Sequence, residues 1–186
     1  MKFRDEYYFL SNMYPCKIQL GKYTFRCAEA AFQAAKCPSR VNEFVNLNGF
    51  EAKKLGRTVQ LRPDWNEKRL NYMERIIRAK FNQNPDLAKR LCNINVHTPI
   101  IEENTWGDTY WGVCNGKGQN HLGKILMQVR LELKIEACKK CSEHEGFKGP
   151  NWVCIHFYDE AGTEEAVKMC DGYFGWCNEN EKERGK

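Results

Sequence analysis

Hydrophobic and polar positions alternate most regularly near the N-terminus. In "CKIQLGKYTFRC", Ile18 and Leu20 alternate with polar neighbours, Gly21 and Lys22 interrupt, and Tyr23 and Phe25 resume the alternation. That pattern predicts an antiparallel hairpin with a glycine-first two-residue turn. The period then changes. "AEAAFQAAK" is alanine-rich and free of glycine and proline until Pro38, which predicts a short buried helix. In "KRLNYMERIIRAKF", Leu70, Met73, Ile77 and Phe81 form one helical stripe, and Asn84 with Pro85 opens a further helix over "DLAKRL". "HTPIIEE" reads as a short strand. Leu122, Ile125, Leu126, Val129 and Leu133 then mark an amphipathic helix with Asn120 as its expected cap. The predicted class is α+β, predominantly α.

Composition adds a boundary. The 186 residues are 42% hydrophobic, enough for one domain with a sizeable core plus a small appendage. After Ile135 the chain becomes charged, turn-rich and cysteine-rich, so we expect a main domain over 1–135 and an extension over 136–186. The extension holds Trp152, Phe157, Tyr158, Tyr173, Phe174 and Trp176, unlike the aromatic-poor composition of disorder. The start, "MKFRDEYYFL", lacks an apolar export core, and no run approaches the roughly 20 apolar residues of a membrane span. A cytoplasmic protein with no membrane contact is expected. Its ten cysteines therefore read as reduced thiols or metal ligands rather than a disulfide framework. Cys138 and Cys141 form a CxxC; with Cys154 and Cys170 they make a candidate structural zinc set, though the spacing is irregular. The net charge of +5 permits an anionic substrate or nucleic acid, with no single basic block to demand one.

Candidate chemistry lies at a few points. On the helix 28–36, Glu29, Phe32, Gln33 and Lys36 share one face, opposite the small Ala28, Ala31 and Ala35. In water, Glu29 and Lys36 on that face are ordinary charges; in a cleft, they meet a ligand. "ENTWGDTYWG" gathers Trp106, Tyr110 and Trp111 around Asp108, as core aromatics or as a platform for a flat heterocycle. Arg57 and Arg62 are either surface charges or phosphate grips. Asn12 sits in a turn that its own side chain can satisfy. In "GVCNGKGQNHLGK", three residues separate Gly112 from Gly116 and Gly118 follows Lys117, so a Walker loop is excluded. His121 stands where the dinucleotide fingerprint requires a third glycine. What survives is a glycine loop before a helix start, whose amide donors suit an oxygen-rich ligand.

"FLSNMYP", "AEAAFQAAK", "GRTVQLRPDW", "RAKFNQNPDLAKRL" and "DTYWGVCNGKGQNHLGKILMQVR", in this order and spacing, resemble the motif series of the NADAR family, also called YbiA-like. The resemblance covers about Phe3 to Leu133 and implies a compact, mainly helical α+β single domain; the cysteine-rich extension has no counterpart. It implies enzymes acting on N-glycosidic bonds of ribose compounds. Two substrate classes are associated with the family: phosphoribosylamino-pyrimidine intermediates of early riboflavin synthesis, and ADP-ribose attached to guanine in nucleic acid. The resemblance places Asn12, Glu29, Lys36, Asp108, Trp111 and Asn120 on family motif positions; on that footing we expect Glu29 and Asp108 to supply the catalytic carboxylates, Trp111 to stack on the heterocycle, and Lys36, Arg57 and Arg62 with the loop amides around Gly112 and Asn120 to hold phosphate. No cofactor is required on this reading. Met13 in place of a usual phenylalanine, and Ala30 in place of a commoner histidine or tryptophan, leave substrate choice open. A silent ADP-ribose or NAD-binding module is the alternative of another class, which the presence of both carboxylates disfavours.

Overall fold

The computed structural model describes residues 2–142, with side chains through Glu136. A 3-10 segment over Asp5–Leu10 leads to the hairpin β1 (Ile18–Leu20) and β2 (Tyr23–Phe25). Helix α1 (Ala28–Ala35), a second 3-10 segment (Pro38–Glu43), α2 (Gly49–Leu55), α3 (Trp65–Asn82) and α4 (Pro85–Cys92) follow. Two-residue strands β3 (Glu103–Asn104) and β4 (Val113–Cys114) precede the long α5 (His121–Ser142). The architecture is α+β and predominantly α, as the periodicity predicts. The described residues fall into two compact units: those up to Ala88 with Ile100–Leu126, and Lys89–Pro99 with those from Met127.

In the first unit the hairpin has the expected register, with Ile18 opposite Phe25 and Leu20 opposite Tyr23, and Gly21 takes the positive φ its turn needs. The open edge of β1 is covered by side chains from the end of α3. Gln83 accepts from the Gln19 amide at 2.7 Å and donates to its carbonyl at 2.9 Å, and Asn84 Nδ2 donates to the Lys17 carbonyl at 2.9 Å. Asn84 thus serves the hairpin, while its carbonyl accepts the first amides of α4. Met73, Ile77 and Phe81 of the α3 stripe are buried and Leu70 is half-buried. Burying each large apolar side chain contributes about 1.5–3 kcal/mol. Helix α2 was not resolved by periodicity; its signal is local, since Asn48 and Glu51 form a reciprocal capping box.

One expectation shifts. The strand expected within "HTPIIEE" forms only at its end, where Glu103 and Asn104 pair in parallel with Val113 and Cys114. Helix α5 runs unbroken through the expected domain boundary at 135 and reaches Ser142. Cys138 and Cys141 lie on this helix, but their side chains, and Cys154 and Cys170 altogether, lie outside the described residues. Among the described residues, no group of three or more His, Cys, Asp or Glu side chains is placed to hold a metal ion. No described helix is long and apolar enough to cross a membrane. In the second unit Arg130 is buried and donates to the carbonyls of Asn95, Val96 and Thr98 at 2.7–3.0 Å, satisfying a turn that has no regular ladder.

Lys80 is fully buried in the first unit, where it donates to the Ser11 carbonyl at 2.8 Å. Burial pulls its ammonium down to about 8, against the opposing influence of Cys16 and Cys27. A lysine depressed in the folded state loses its proton there first, so its penalty on stability is full below about pH 8 and is relieved as pH rises toward 10.5. Tyr14 N also donates to the Ser11 carbonyl, at 3.2 Å, so that acceptor keeps a partner without the lysine. Lys80→Met is therefore expected to stabilise the fold at pH 7 by about 2 kcal/mol. Denaturant midpoints from pH 7 to 10.5 check it: the gain should shrink as pH rises.

Candidate active site

Helix α1 starts at Cys27, whose Sγ accepts from Ala30 N at 3.4 Å, while Glu29 N donates to the Asn12 carbonyl at 2.9 Å. The first bond caps the helix, and the second fixes its first turn against the N-terminal segment. The residues Ala28–Ala34 are all buried, so the mixed face that periodicity left ambiguous turns inward. Glu29 is 7% exposed and Gln33 5%. Gln33 Nε2 donates to Glu29 Oε1 at 2.7 Å, one helical turn away. The other atom of that amide, Gln33 Oε1, is buried without a partner. Gly56 leaves room for it, since a Cβ there would stand 1.9 Å from Gln33 Oε1.

The second part of the site is the segment 100–123. Asn104 is its internal clamp: Oδ1 accepts from Asp108 N at 3.1 Å, and Nδ2 donates to the Asp108 carbonyl at 2.7 Å and the Val113 carbonyl at 3.3 Å. Asp108 Oδ1 in turn accepts from Tyr110 N at 3.0 Å and Trp111 N at 2.9 Å, leaving Oδ2 outside both bonds. Trp111 then meets Phe32 edge to face, with centroids 5.3 Å apart. Phe32 lies one turn beyond Glu29, and it also packs on Trp65 at 5.1 Å. This aromatic contact joins α1 to the segment, and apolar burial with edge-to-face geometry favours it.

Three carboxylates fall within one another's electrostatic reach. Glu29 is raised above the ordinary carboxyl range chiefly by burial; the Gln33 hydrogen bond and then the charges of Lys53 and Lys36 oppose this, and Asp108 adds to it. Glu102 is pushed up to about 7, first by burial and then by Asp108, with Lys53 opposing and Glu29 reinforcing. Its Oε2 is buried and has no hydrogen-bond partner. Lys36 is depressed by burial, held up by Glu29, and lowered further by Lys53 and Arg57. Three acids and three cations, all in the first unit, thus act on one another's charge, an arrangement of the kind found at functional sites.

A family comparison decides what this arrangement belongs to: the NADAR domain profile matches residues 1–134. The chain belongs to the NADAR family. It is 36% identical over 135 residues to a riboflavin biosynthesis protein of Vibrio vulnificus, covering 69% of this chain and 36% of that protein's length. It is 33% identical over 138 residues to the N-glycosidase YbiA of Shigella sonnei, covering 71% of this chain and 85% of the relative. The NMR structure of the Escherichia coli protein YbiA superposes with a TM-score of 0.66 at 28% identity, covering 80% of this chain and 90% of that one.

Within this NADAR domain, the residues that the motifs single out do not all meet. Glu29, Lys36 and Asp108 share the electrostatic cluster, and Arg57, exposed at the end of α2, reaches it through its charge on Lys36. Asn12 does not satisfy its own turn: Nδ2 contacts Met73 Sδ at 3.4 Å and Oδ1 is buried without a partner. Arg62 departs from expectation. Its guanidinium is paired with Asp64 and lies over the Tyr72 ring at 4.9 Å, so its fork is occupied.

The glycine loop also departs from the expected phosphate cradle. The amides of Gln119, Asn120, His121 and Leu122 donate to the carbonyls of Thr109, Gly112, Tyr110 and Trp111, so the start of α5 presents no run of free donors. The Asn120 side chain is committed at both ends, accepting from Glu102 N at 3.0 Å and donating to the Ile100 carbonyl at 2.9 Å. A Cβ on Gly112 would stand 2.3 Å from the Glu102 carbonyl, so this glycine serves backbone packing. Sequence reasoning missed Glu102 and Lys53. The signals were present: two adjacent glutamates end an apolar run, and Lys53 lies on α2, whose end is followed by the exposed Arg57.

Proposed function

We propose that this NADAR protein, a hydrolase of N-glycosyl bonds, acts on phosphoribosylamino-pyrimidines of the kind formed early in riboflavin synthesis. One observation carries the proposal: the buried Glu29 carboxylate and Asp108 lie in the same electrostatic cluster as Lys36 and Lys53. Cleaving a ribosyl C–N bond develops positive charge at the anomeric carbon and negative charge on the departing nitrogen. Glu29, braced by Gln33, stabilises the cationic carbon and takes a proton from the attacking water. Asp108 orients the ribose. Lys36, Lys53 and Arg57 hold the phosphate, replacing the loop amides and Arg62 of the sequence reading. Trp111, half-buried and propped by Phe32, offers a face to the heterocycle. The relatives from Vibrio vulnificus and Zea mays that carry riboflavin biosynthesis names support the choice of substrate.

The test is a panel in which the full chain is incubated with a phosphoribosylamino-pyrimidine and, separately, with an ADP-ribosylated guanine oligonucleotide. Release of ribose 5-phosphate from the first at the higher kcat/KM is the expected result. Preference for the oligonucleotide would move the assignment to ADP-ribose removal. Tight ADP-ribose binding in calorimetry without turnover of either substrate would reduce the chain to a binding module.

A further inference from the structure

The carboxyl of Glu102 takes none of the roles assigned to Glu29 and Asp108, yet its backbone is held at three points. Its amide donates to Asn120 Oδ1 at 3.0 Å, its carbonyl accepts from Val113 N at 2.8 Å, and Gly112 lies directly against that carbonyl. The glycine loop and the first residue before α5 thus clamp one glutamate. Its side chain ends in a buried oxygen that no group of the described protein bonds. An unbonded buried carboxylate oxygen is unfavourable as an anion, whereas a protonated carboxyl offers a donor to whatever enters.

We propose that Glu102 is a further catalytic residue of this site, the general acid that protonates the departing nitrogen. The inference rests on the N-glycosidase reading above. As the anomeric C–N bond breaks, its electron pair passes to nitrogen, which takes the proton from Glu102 Oε2. The oxygen of water bonds to the anomeric carbon, and its proton passes to Glu29. Exchange with solvent returns a proton to Glu102 and removes one from Glu29. One water and one N-glycoside thereby give a free amine and a free sugar.

The two glutamates divide these roles by their surroundings. Glu29 has an amide donor from Gln33 and the charges of Lys53 and Lys36 to favour its anion. Glu102 faces Asp108 from its own loop and Glu29 from α1, with Lys53 of α2 as the opposing cation, and it titrates near 7. Where two carboxyls interact and one is better stabilised as an anion, the other retains the proton.

The experiment compares the full natural chain with Glu102→Gln on a phosphoribosylamino-pyrimidine across pH 5–9, alongside carbon-13 NMR titration of the glutamate carboxyls. In the natural chain kcat should fall as pH rises through about 7, because the acid form is lost. Glu102→Gln should keep KM within about threefold, lose about 10²-fold in kcat, and lack that falling limb. A carboxyl titrating near 7 should vanish from the variant's spectrum. Turnover by the natural chain with an unchanged rate or an unchanged limb in Glu102→Gln would overturn the assignment while leaving the N-glycosidase reading intact. A Glu102 resonance titrating near the ordinary value of about 4.3 would do the same. No turnover by the natural chain would overturn both.

Discussion

Glu29→Gln is expected to lower single-turnover hydrolysis by about 10³–10⁴-fold with the fold intact, because one carboxylate supplies both charge stabilisation and the base for water. The substitution keeps an oxygen where Gln33 Nε2 donates, so the 2.7 Å contact survives while the charge does not. Stability should move the other way. The folded state raises the Glu29 carboxyl above its ordinary value, chiefly by burial, so it holds that proton more tightly than the unfolded chain does. Ionising it therefore weakens the fold as pH climbs from the unfolded pKa through the folded one. The glutamine variant lacks that loss and should unfold at a higher temperature than the natural chain at pH 7. Single-turnover rates and thermal melts at pH 5 and pH 7 check both parts. An unchanged hydrolysis rate would remove Glu29 from the mechanism.

Gly118→Ala should be the most disruptive small substitution in the glycine loop. At φ +154° its backbone lies in a region that residues with a Cβ rarely adopt, and the added carbon would stand 2.2 Å from the Gly112 carbonyl and 2.9 Å from Val113 Cα. Both obstacles are backbone, so neither can rotate away. Strain and overpacking together are expected to reduce stability by about 3–5 kcal/mol, a large share of a typical domain's total. Gly116→Ala is the matched control. It also has a positive φ, +74°, but a Cβ there meets nothing within 4 Å, so only the conformational penalty of about 1–2 kcal/mol applies. Chemical denaturation of the two variants separates close approach from torsion: equal losses would show that the contact with Gly112 does not matter.

Much of the architecture was legible because it depends on neighbours in sequence. Ile18 to Phe25 carry the period of two and a turn glycine, and Met73, Ile77 and Phe81 carry the helical period, so hairpin and helix follow from local geometry. The family motifs likewise pointed to Glu29, Lys36 and Asp108, which do share one cluster. Other features escaped for identifiable reasons. Buried Lys80 and Arg130 look like solvated charges in any hydropathy pattern, because the carbonyls that satisfy them come from Ser11 and from Asn95, Val96 and Thr98. Arg62 looked free because its pairing with nearby Asp64 is one of several rotamers open to it in isolation.

The sequence by itself determined the hairpin and the helices α1, α3, α4 and α5, the shared helical face of Glu29 and Gln33, and a glycine loop that matches neither nucleotide fingerprint. Only the tertiary structure decided that this face is buried, that the loop's amides are spent on its own carbonyls, and that Asn120 and Gly112 fix the backbone of Glu102. The physical reason is range. Propensity and periodicity act over a few residues, whereas desolvation and charge coupling depend on what lies opposite, here Trp111 against Phe32 and Glu102 within electrostatic reach of Glu29.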